Sequence, residues 1–240
     1  MKRQGNGGTT GRRRFVALLL TLAAAGAEAA PRPFDPVLLW NEQTTLSIQA
    51  TAMDPFMATR ALALESIAVL DTLRSAAGLP GFLVRLPAPP NAPPAIAASA
   101  GARAMLVYLF PARRDALDQV FAQTLAAFPA DAKRAGAVAF GEAVAAAVIA
   151  IRDRDGWNQA GTVTIGTGPG AWRPTPPGHY PPLNPQWSGV VPFSMSRADQ
   201  FRPRGPRAPG TKAFNDARAA FHCAAGERGA VLVPAVKSPL

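Results

Sequence analysis

A long segment that can form neither a regular helix nor a sheet is the strongest constraint on this fold. Eleven prolines lie within residues 153–210, and each lacks the backbone N–H that helices and strands use. Irregular segments of this length are usually functional, disordered or wrapped over a surface. Aromatic side chains favour wrapping, because disordered segments contain few of them. We therefore predict that residues 153–210 form a strap, packed onto the protein through four side chains: Trp172, Trp187, Phe193 and Phe201.

Ahead of the strap, apolar residues recur at helical spacing and predict a helical domain over residues 30–152. Asp54 and Asp131 are placed as N-caps, where a carboxylate accepts hydrogen bonds from the first turn of a helix. The best strand candidate, residues 162–165, is too short to found a sheet. The sequence thus predicts an all-α fold, an antiparallel helical bundle, with helices near residues 35–50, 55–77, 94–110, 113–128 and 132–151.

The last of these predicted helices carries several small residues. Gly136, Ala139 and Ala143 stand at spacings that bring them towards one side of the helix. Because glycine and alanine project little or nothing beyond Cβ, we expect a neighbouring helix to approach closely at these three positions.

The first 29 residues predict an export signal and no part of the fold. A basic stretch that includes Arg12 and Arg13 precedes an apolar run from Phe15 to Ala25, and small residues follow at a plausible cleavage site. That run is shorter than the roughly 20 residues that span a bilayer. The residues fit a twin-arginine signal, and an Arg-rich secretory signal explains them equally well. We expect an exported chain, periplasmic or secreted, with no membrane segment after cleavage.

Composition argues against nucleic acid as a partner. The formal charge of +10 falls to +6 once residues 1–29 are removed, because five basic residues and one acidic residue leave with them. The remaining arginines are scattered and are not interleaved with aromatic residues, unlike those of a nucleic-acid-binding surface. Cys223 is the single cysteine, so no disulfide can form within the chain and the hydrophobic core must supply the stability.

One segment, the Pro- and Trp-rich loop over residues 168–204, is too specific to follow from helix periodicity or composition alone. Weaker matches accompany it at Trp40-Asn41 in the first predicted helix and at the run Arg152-Asp153-Arg154-Asp155-Gly156. Together they resemble bacterial vanadium-dependent haloperoxidases, relatives of the phosphatidic acid phosphatases, over roughly residues 34–217. The resemblance implies an all-helical enzyme that holds vanadate and oxidises halide with hydrogen peroxide, or a relative that hydrolyses phosphate esters.

The motifs that carry this chemistry in the family have no counterpart here. The family uses a Lys and an Arg in an aromatic-rich motif, a Ser-Gly-His motif, and a later Arg followed by a His. Cations neutralise the vanadate or phosphate, and the histidines bond it or transfer protons. Because no position of this chain matches those motifs, we predict no catalytic, cofactor-binding or metal-binding residue, and vanadate only in complete family members.

Five side chains come closest to that chemistry. His179 follows a glycine, as in the Ser-Gly-His motif, but a proline stands in place of the serine. Arg173 lies in a Trp-Arg-Pro sequence without the family's lysine, and Lys212 lacks the aromatic surroundings. His222 and Cys223 are adjacent, which is poor geometry for two ligands of one metal ion. We predict structural roles within the loop for His179 and Arg173.

Residues 211–240 depart from the family's pattern and are rich in residues that GC-rich codons encode. We expect a frameshift or an early stop there. The sequence therefore predicts the N-terminal half of an exported haloperoxidase-like protein, inactive alone, whose partner is a missing C-terminal catalytic half. The alternative is a non-enzymatic helical interaction module that associates with itself or another protein. The sequence leaves open whether the ancestor oxidised halide or hydrolysed phosphate esters.

Overall fold

The prediction of an all-α fold is confirmed. The computed structural model describes residues 35–168, 171–205 and 207–227, with side chains as far as residue 221, so Arg12, Arg13 and Phe15 of the predicted signal lie outside it. Within these ranges there is no strand, and the predicted strand candidate at residues 162–165 is irregular. The α-helices of the described part are α1 (Pro36–Ala50), α2 (Pro55–Ala76), α3 (Pro94–Leu109), α4 (Arg114–Ala126), α5 (Ala132–Arg152) and α6 (Lys212–Glu227).

Two helices begin where the sequence places their caps. The Asp54 carboxylate accepts hydrogen bonds from the backbone N–H groups of Phe56 (3.0 Å) and Met57 (3.2 Å). The Asp131 carboxylate accepts one from the N–H of Arg134 (2.9 Å). In both helices the cap satisfies donors that have no partner within the first turn. Helix α6 had not been predicted, and it lies in the tail that departs from the family's pattern.

Helix α3 is the central element of the core. Early in α3, Ile96 and Ala97 share a buried cluster with Phe140 of α5, and later Met105 shares one with Leu64 of α2 and Val148 of α5. These pairings show that α3 and α5 run in the same direction. Helix α2 runs antiparallel to α3, because Ala76 at its end packs against the cluster of Ile96. Helix α4 separates α3 from α5 in sequence and allows the parallel arrangement. The core is alanine-rich, so the helices pack at short distances.

The closest approach in the core is between α3 and α5, at Gly101 and Gly141. A Cβ added to Gly141 would lie 2.0 Å from the carbonyl oxygen of Ala97, and one on Gly101 would lie 3.2 Å from the carbonyl oxygen of Gly141. The predicted contact through Gly136, Ala139 and Ala143 is wrong, since Ala139 and Ala143 are exposed. Periodicity identifies a face of small residues, but only the neighbouring helix decides which face is used.

A single aspartate organises the loop between α2 and α3. The buried carboxylate of Asp71 accepts hydrogen bonds from the backbone N–H groups of Phe82, Leu83 (2.9 Å) and Val84 (2.9 Å). This loop makes a tight turn at Gly81, where an added Cβ would lie 1.7 Å from the carbonyl oxygen of Val84. Only glycine fits this turn, and Asp71 satisfies the donors that the turn leaves without helical partners.

Helix α5 is long and apolar enough to cross a membrane by length and composition, the one such helix in the described part of the chain. The core helix of a protein that spans no membrane passes the same test. Here one side of α5 is buried among the other helices, through Phe140, Val144, Val148 and Arg152 among others. Its opposite side, which includes Ala139 and Ala143, is exposed.

Glu65 of α2 is a buried carboxyl group whose two oxygens have no hydrogen-bond partner, and its residue is 1% exposed. Burial raises the pKa of Glu65 to about 7. The Ser66 hydroxyl lies close enough to oppose the shift in part but does not form a regular hydrogen bond with either oxygen. In the unfolded chain the carboxyl ionises near its ordinary value of 4.5. Between these values the unfolded state releases a proton that the folded state retains, so the stability contribution of Glu65 falls as pH rises.

Glu65→Gln is therefore expected to remove a pH-dependent loss of stability. The loss develops between pH 4.5 and about 7 and amounts to about 2–4 kcal/mol in the wild type. Urea unfolding of the wild type and of Glu65→Gln at several pH values in this range gives the free energy of unfolding against pH. The loss is the amount by which the wild-type curve falls relative to that of Glu65→Gln. Glu42→Gln, at an exposed position of α1, is the control and should follow the wild type. Parallel curves for wild type and Glu65→Gln would contradict the prediction.

Candidate functional site

Two arginines and an aspartate form a buried ion network where the strap leaves α5. Oδ2 of Asp155 pairs with Nη1 of Arg60 from α2 and, at 2.7 Å, with Nη2 of Arg152 at the end of α5. All three residues are at most 4% exposed. Nη2 of Arg60 also donates to the carbonyl oxygen of Arg152, at 2.8 Å. Because a buried charge is tolerated only when it is paired, the network fixes α2, α5 and the start of the strap to one another.

The same network also holds the strap at Val191 and Phe193, about forty residues after its start. Nη2 of Arg152 donates to the carbonyl oxygen of Val191 (2.8 Å), and its guanidinium lies 3.9 Å from the ring centroid of Phe193. The backbone N–H of Val191 donates to the carbonyl oxygen of Asp155 (2.8 Å). Burial lowers the pKa of Arg152, and the charge of Asp155 opposes that shift. The guanidinium stays charged, so two cations and one anion meet here. Backbone carbonyls accept from further Nη groups, while Nε of Arg152 is buried without a hydrogen-bond partner.

A second anchor ties the strap to the N-terminus of α2. The ring of Trp187 meets that of Phe56 edge-to-face, with centroids 5.6 Å apart. The side-chain amide of Asn184 donates to Asp54 at 2.8 Å, so the N-cap of α2 also binds the strap. Edge-to-face ring pairs add about 0.5–1.5 kcal/mol beyond the area they bury.

The four predicted strap residues occupy different environments. Trp187 and Phe193 are half-buried at the two anchors just described. The expectation of burial is wrong for Trp172 and Phe201, which are 44% and 75% exposed. Aromatic composition indicates that a loop packs onto the protein, but it does not say which of its rings face inwards.

Sequence reasoning missed the ion network itself. A signal for it existed in α2, where Arg60 lies on the apolar side of the helix, three residues after Met57 and four before Leu64. A charged residue in such a position needs a buried partner. The partner is Asp155, which lies in one of the segments that resemble the haloperoxidases. Because Asp155 is 95 residues from Arg60, no spacing rule in the sequence connects the two.

The other candidate side chains lie apart from the network. His179 is exposed on the strap. Arg173 is also exposed and donates a hydrogen bond to the carbonyl oxygen of Thr167, a contact within the strap. Lys212 pairs with Asp216 on the surface of α6, at 2.8 Å. His222 and Cys223 belong to α6, beyond the last described side chain.

The described residues do not fit vanadate. The two buried arginines, Arg60 and Arg152, are engaged by Asp155 and by backbone carbonyls, and His179 is exposed on the strap. In the ranges that the structure describes, no group of three or more His, Cys, Asp or Glu residues is placed to hold a metal ion. An oxyanion site would need cationic side chains whose N–H groups face the anion and are not committed to partners inside the protein.

Beside the network, Tyr108 near the end of α3 forms a separate contact. Its hydroxyl donates to Oδ1 of Asp153 at 2.7 Å. Burial, the hydrogen bond to Asp153 and the negative charge of that residue raise the pKa of Tyr108 to about 12. Tyr108, Arg60 and Trp157 also face a cavity of about 190 Å³.

Comparison with known proteins assigns the architecture. No family model and no curated protein matches the sequence. Among solved structures, the crystal structure of a bacterial vanadium-dependent iodoperoxidase is similar, with a TM-score of 0.64 and 18% sequence identity. The fold is haloperoxidase-like. The match covers 83% of this chain and 54% of the iodoperoxidase, so the chain spans about half the length of that neighbour.

Proposed function

We propose that this chain is the N-terminal, non-catalytic half of an exported haloperoxidase-like protein and that it is inactive alone. The observation that carries the proposal is the asymmetric structural match, 83% of this chain against 54% of the iodoperoxidase. The family segments found in the sequence support it, because in the family they precede the catalytic motifs. In this proposal vanadate belongs to the complete assembly, and the partner is a polypeptide that supplies the catalytic half.

The packing of the strap supports a scaffolding role. The network of Arg60, Asp155 and Arg152 engages both buried guanidinium groups with partners inside the protein. A group of this kind holds a loop in one conformation and does not bind an oxyanion. The half-chain would then contribute helices and an ordered strap on which a second half docks.

A reconstitution assay tests the proposal. The purified chain is incubated with vanadate, hydrogen peroxide and iodide or bromide, and in parallel with a phosphate monoester. We expect no turnover above that of heat-denatured chain. Turnover should appear when a polypeptide carrying the Ser-Gly-His and later Arg and His motifs, expressed from adjacent DNA, is added. Turnover by the chain alone would contradict the proposal, and the substrate used would distinguish peroxidase from phosphatase ancestry.

Export is part of the proposal and has its own test. Replacing Arg12 and Arg13 together with lysine keeps the charge but removes the arginine pair. If the signal is of the twin-arginine type, we expect the processed chain to disappear from the periplasm or medium and the precursor to accumulate in the cytoplasm. Unchanged export of the double variant would indicate the ordinary secretory route. Retention of the wild-type chain in the cytoplasm would contradict export altogether.

A non-enzymatic interaction module is the second candidate function. It is favoured by exposed leucines on the outer side of α2, where Leu62 and Leu70 are 37% and 42% exposed and lie eight residues apart on one face. A contiguous exposed apolar surface is typical of sites that bind another protein, and these two leucines are the candidates for such a surface on α2. Sedimentation velocity tests self-association: a dimer that Leu62→Glu with Leu70→Glu converts to monomer supports it, and a monomer at all concentrations contradicts it.

A further inference from the structure

We propose that the chain has a binding site for a small aromatic molecule between α2, the end of α3 and the start of the strap. The site is the cavity of about 190 Å³ beside the ion network. It is distinct from any oxyanion site, and the proposal does not depend on the catalytic half. The cavity is lined chiefly by Met57, Arg60, Ala61, Tyr108, Leu109 and Trp157.

The size of the cavity sets the size of the ligand. An apolar cavity of about 150 Å³ is known to stay dry and to bind benzene. A cavity of about 190 Å³ therefore accommodates a single substituted ring, of the size of phenol or a cresol. Tyr108 of the lining is 38% exposed, so the cavity borders the protein surface and a ligand can enter without unfolding of the helices.

The chemistry of the lining favours an aromatic ring. The thioethers of Met53 and Met57 are polarisable and make favourable contacts with ring edges. The rings of Tyr108 and Trp157 offer faces for stacked or edge-to-face packing. The guanidinium of Arg60 lies 5.5 Å from the ring centroid of Trp157, so a ligand ring in the cavity also lies close to a cation.

Two of the three polar side chains of the lining are already engaged by other groups of the protein, so the lining offers little to a strongly polar ligand. Arg60 is engaged by Asp155 and by the carbonyl oxygen of Arg152. The hydroxyl of Tyr108 donates to Asp153. The indole nitrogen of Trp157 is buried without a hydrogen-bond partner, so the third polar side chain contributes only a single unpaired N–H group. An ordered water needs two to four polar partners, and this lining does not provide them.

A ligand in the cavity would contact the network that anchors the strap. Arg60 lines the cavity and at the same time pairs with Asp155, which begins the strap. Binding that orders the Arg60 side chain stabilises the pairing, because anything that binds only the folded state adds to its stability. We therefore expect an aromatic ligand to slow proteolysis within the strap.

A fluorine NMR titration with 4-fluorophenol tests the proposal on the full exported chain. We expect a saturable change in the ligand signal, with a dissociation constant on the order of 1 mM. Fluorocyclohexane, similar in size but not aromatic, should bind at least about fivefold more weakly. A change that rises linearly without saturation, or equal binding of the two compounds, would overturn the aromatic site.

Variants locate the binding. Met57→Trp fills the cavity and should weaken 4-fluorophenol binding at least about tenfold. Thr59→Trp places the same side chain at an exposed position two residues later and should bind like the wild type. Met57→Phe fills less of the cavity and should weaken 4-fluorophenol binding by an intermediate amount. It replaces Met57→Trp in the test if that variant does not fold. Wild-type affinity in both Met57 variants, or the same loss in Thr59→Trp, would place the ligand elsewhere and overturn the proposal.

Discussion

Gly141→Ala is expected to destabilise the protein by at least about 3 kcal/mol, enough to prevent stable folding of a marginally stable domain. The added Cβ would lie 2.0 Å from the carbonyl oxygen of Ala97 and 2.9 Å from the backbone nitrogen of Gly101. Both atoms belong to the backbone of α3, so no side chain can rotate to relieve the overlap. The two helices would have to separate, and the core between them would lose contacts along its length. Urea unfolding monitored by circular dichroism measures the effect.

Gly136→Ala is the matched control for this prediction. It lies on the same helix, and an added Cβ would meet only the Pro89 side chain, at 3.7 Å or more, which is ordinary van der Waals contact. We expect it to be neutral or to stabilise the protein by about 0.5–1 kcal/mol, because alanine is the better helix former. Equal behaviour of Gly136→Ala and Gly141→Ala would show that α3 and α5 do not approach as described.

Asp155→Asn is the second change with a large expected effect, a loss of about 3–5 kcal/mol of unfolding free energy. The substitution conserves shape but leaves Arg60 and Arg152 buried without their counter-ion. The carbonyl oxygens that accept from them remain, but these cannot neutralise two positive charges. Because Arg152 also holds Val191, we expect the strap to be cleaved by trypsin before the helices unfold. Urea unfolding and limited proteolysis measure the two effects separately.

Asp153→Asn provides the comparison two residues away. Asp153 is exposed and accepts a hydrogen bond from Tyr108, so its loss should cost less than about 1 kcal/mol. The strap should stay as resistant to trypsin as in the wild type. If Asp155→Asn resembled Asp153→Asn in both measurements, the buried network would not be the anchor of the strap.

The local features of this fold were accessible from the sequence because local physics decides them. Helical spacing placed α1 to α5, and the carboxylates of Asp54 and Asp131 cap helices in the structure as predicted. The resemblance carried by residues 152–156 and by the Pro-rich loop led to the haloperoxidase-like fold that the structural match shows. Each of these predictions depends on residues that are close together in the sequence, or on one distinctive run of residues.

The candidate site was far less accessible, since its partners are distant in sequence. Asp155 and Arg60 are 95 residues apart, and no spacing rule joins them. The packing of the strap was inferred from composition, which could not separate the inward-facing Trp187 from the exposed Phe201. The close contact of α3 with α5 was attributed to the wrong small residues for the same reason.

By itself the sequence determined that the chain is helical, where most helices begin, and that its long loop is not a disordered linker. Helix propensity, capping and proline chemistry act within a few residues, so the order of amino acids suffices for these features. Only the tertiary structure decided that Gly141 faces Gly101, that Asp155 pairs with two arginines, and that a cavity opens beside them. Each of these depends on backbone atoms or charges brought together from separate helices, where packing and the cost of burying charge select one arrangement.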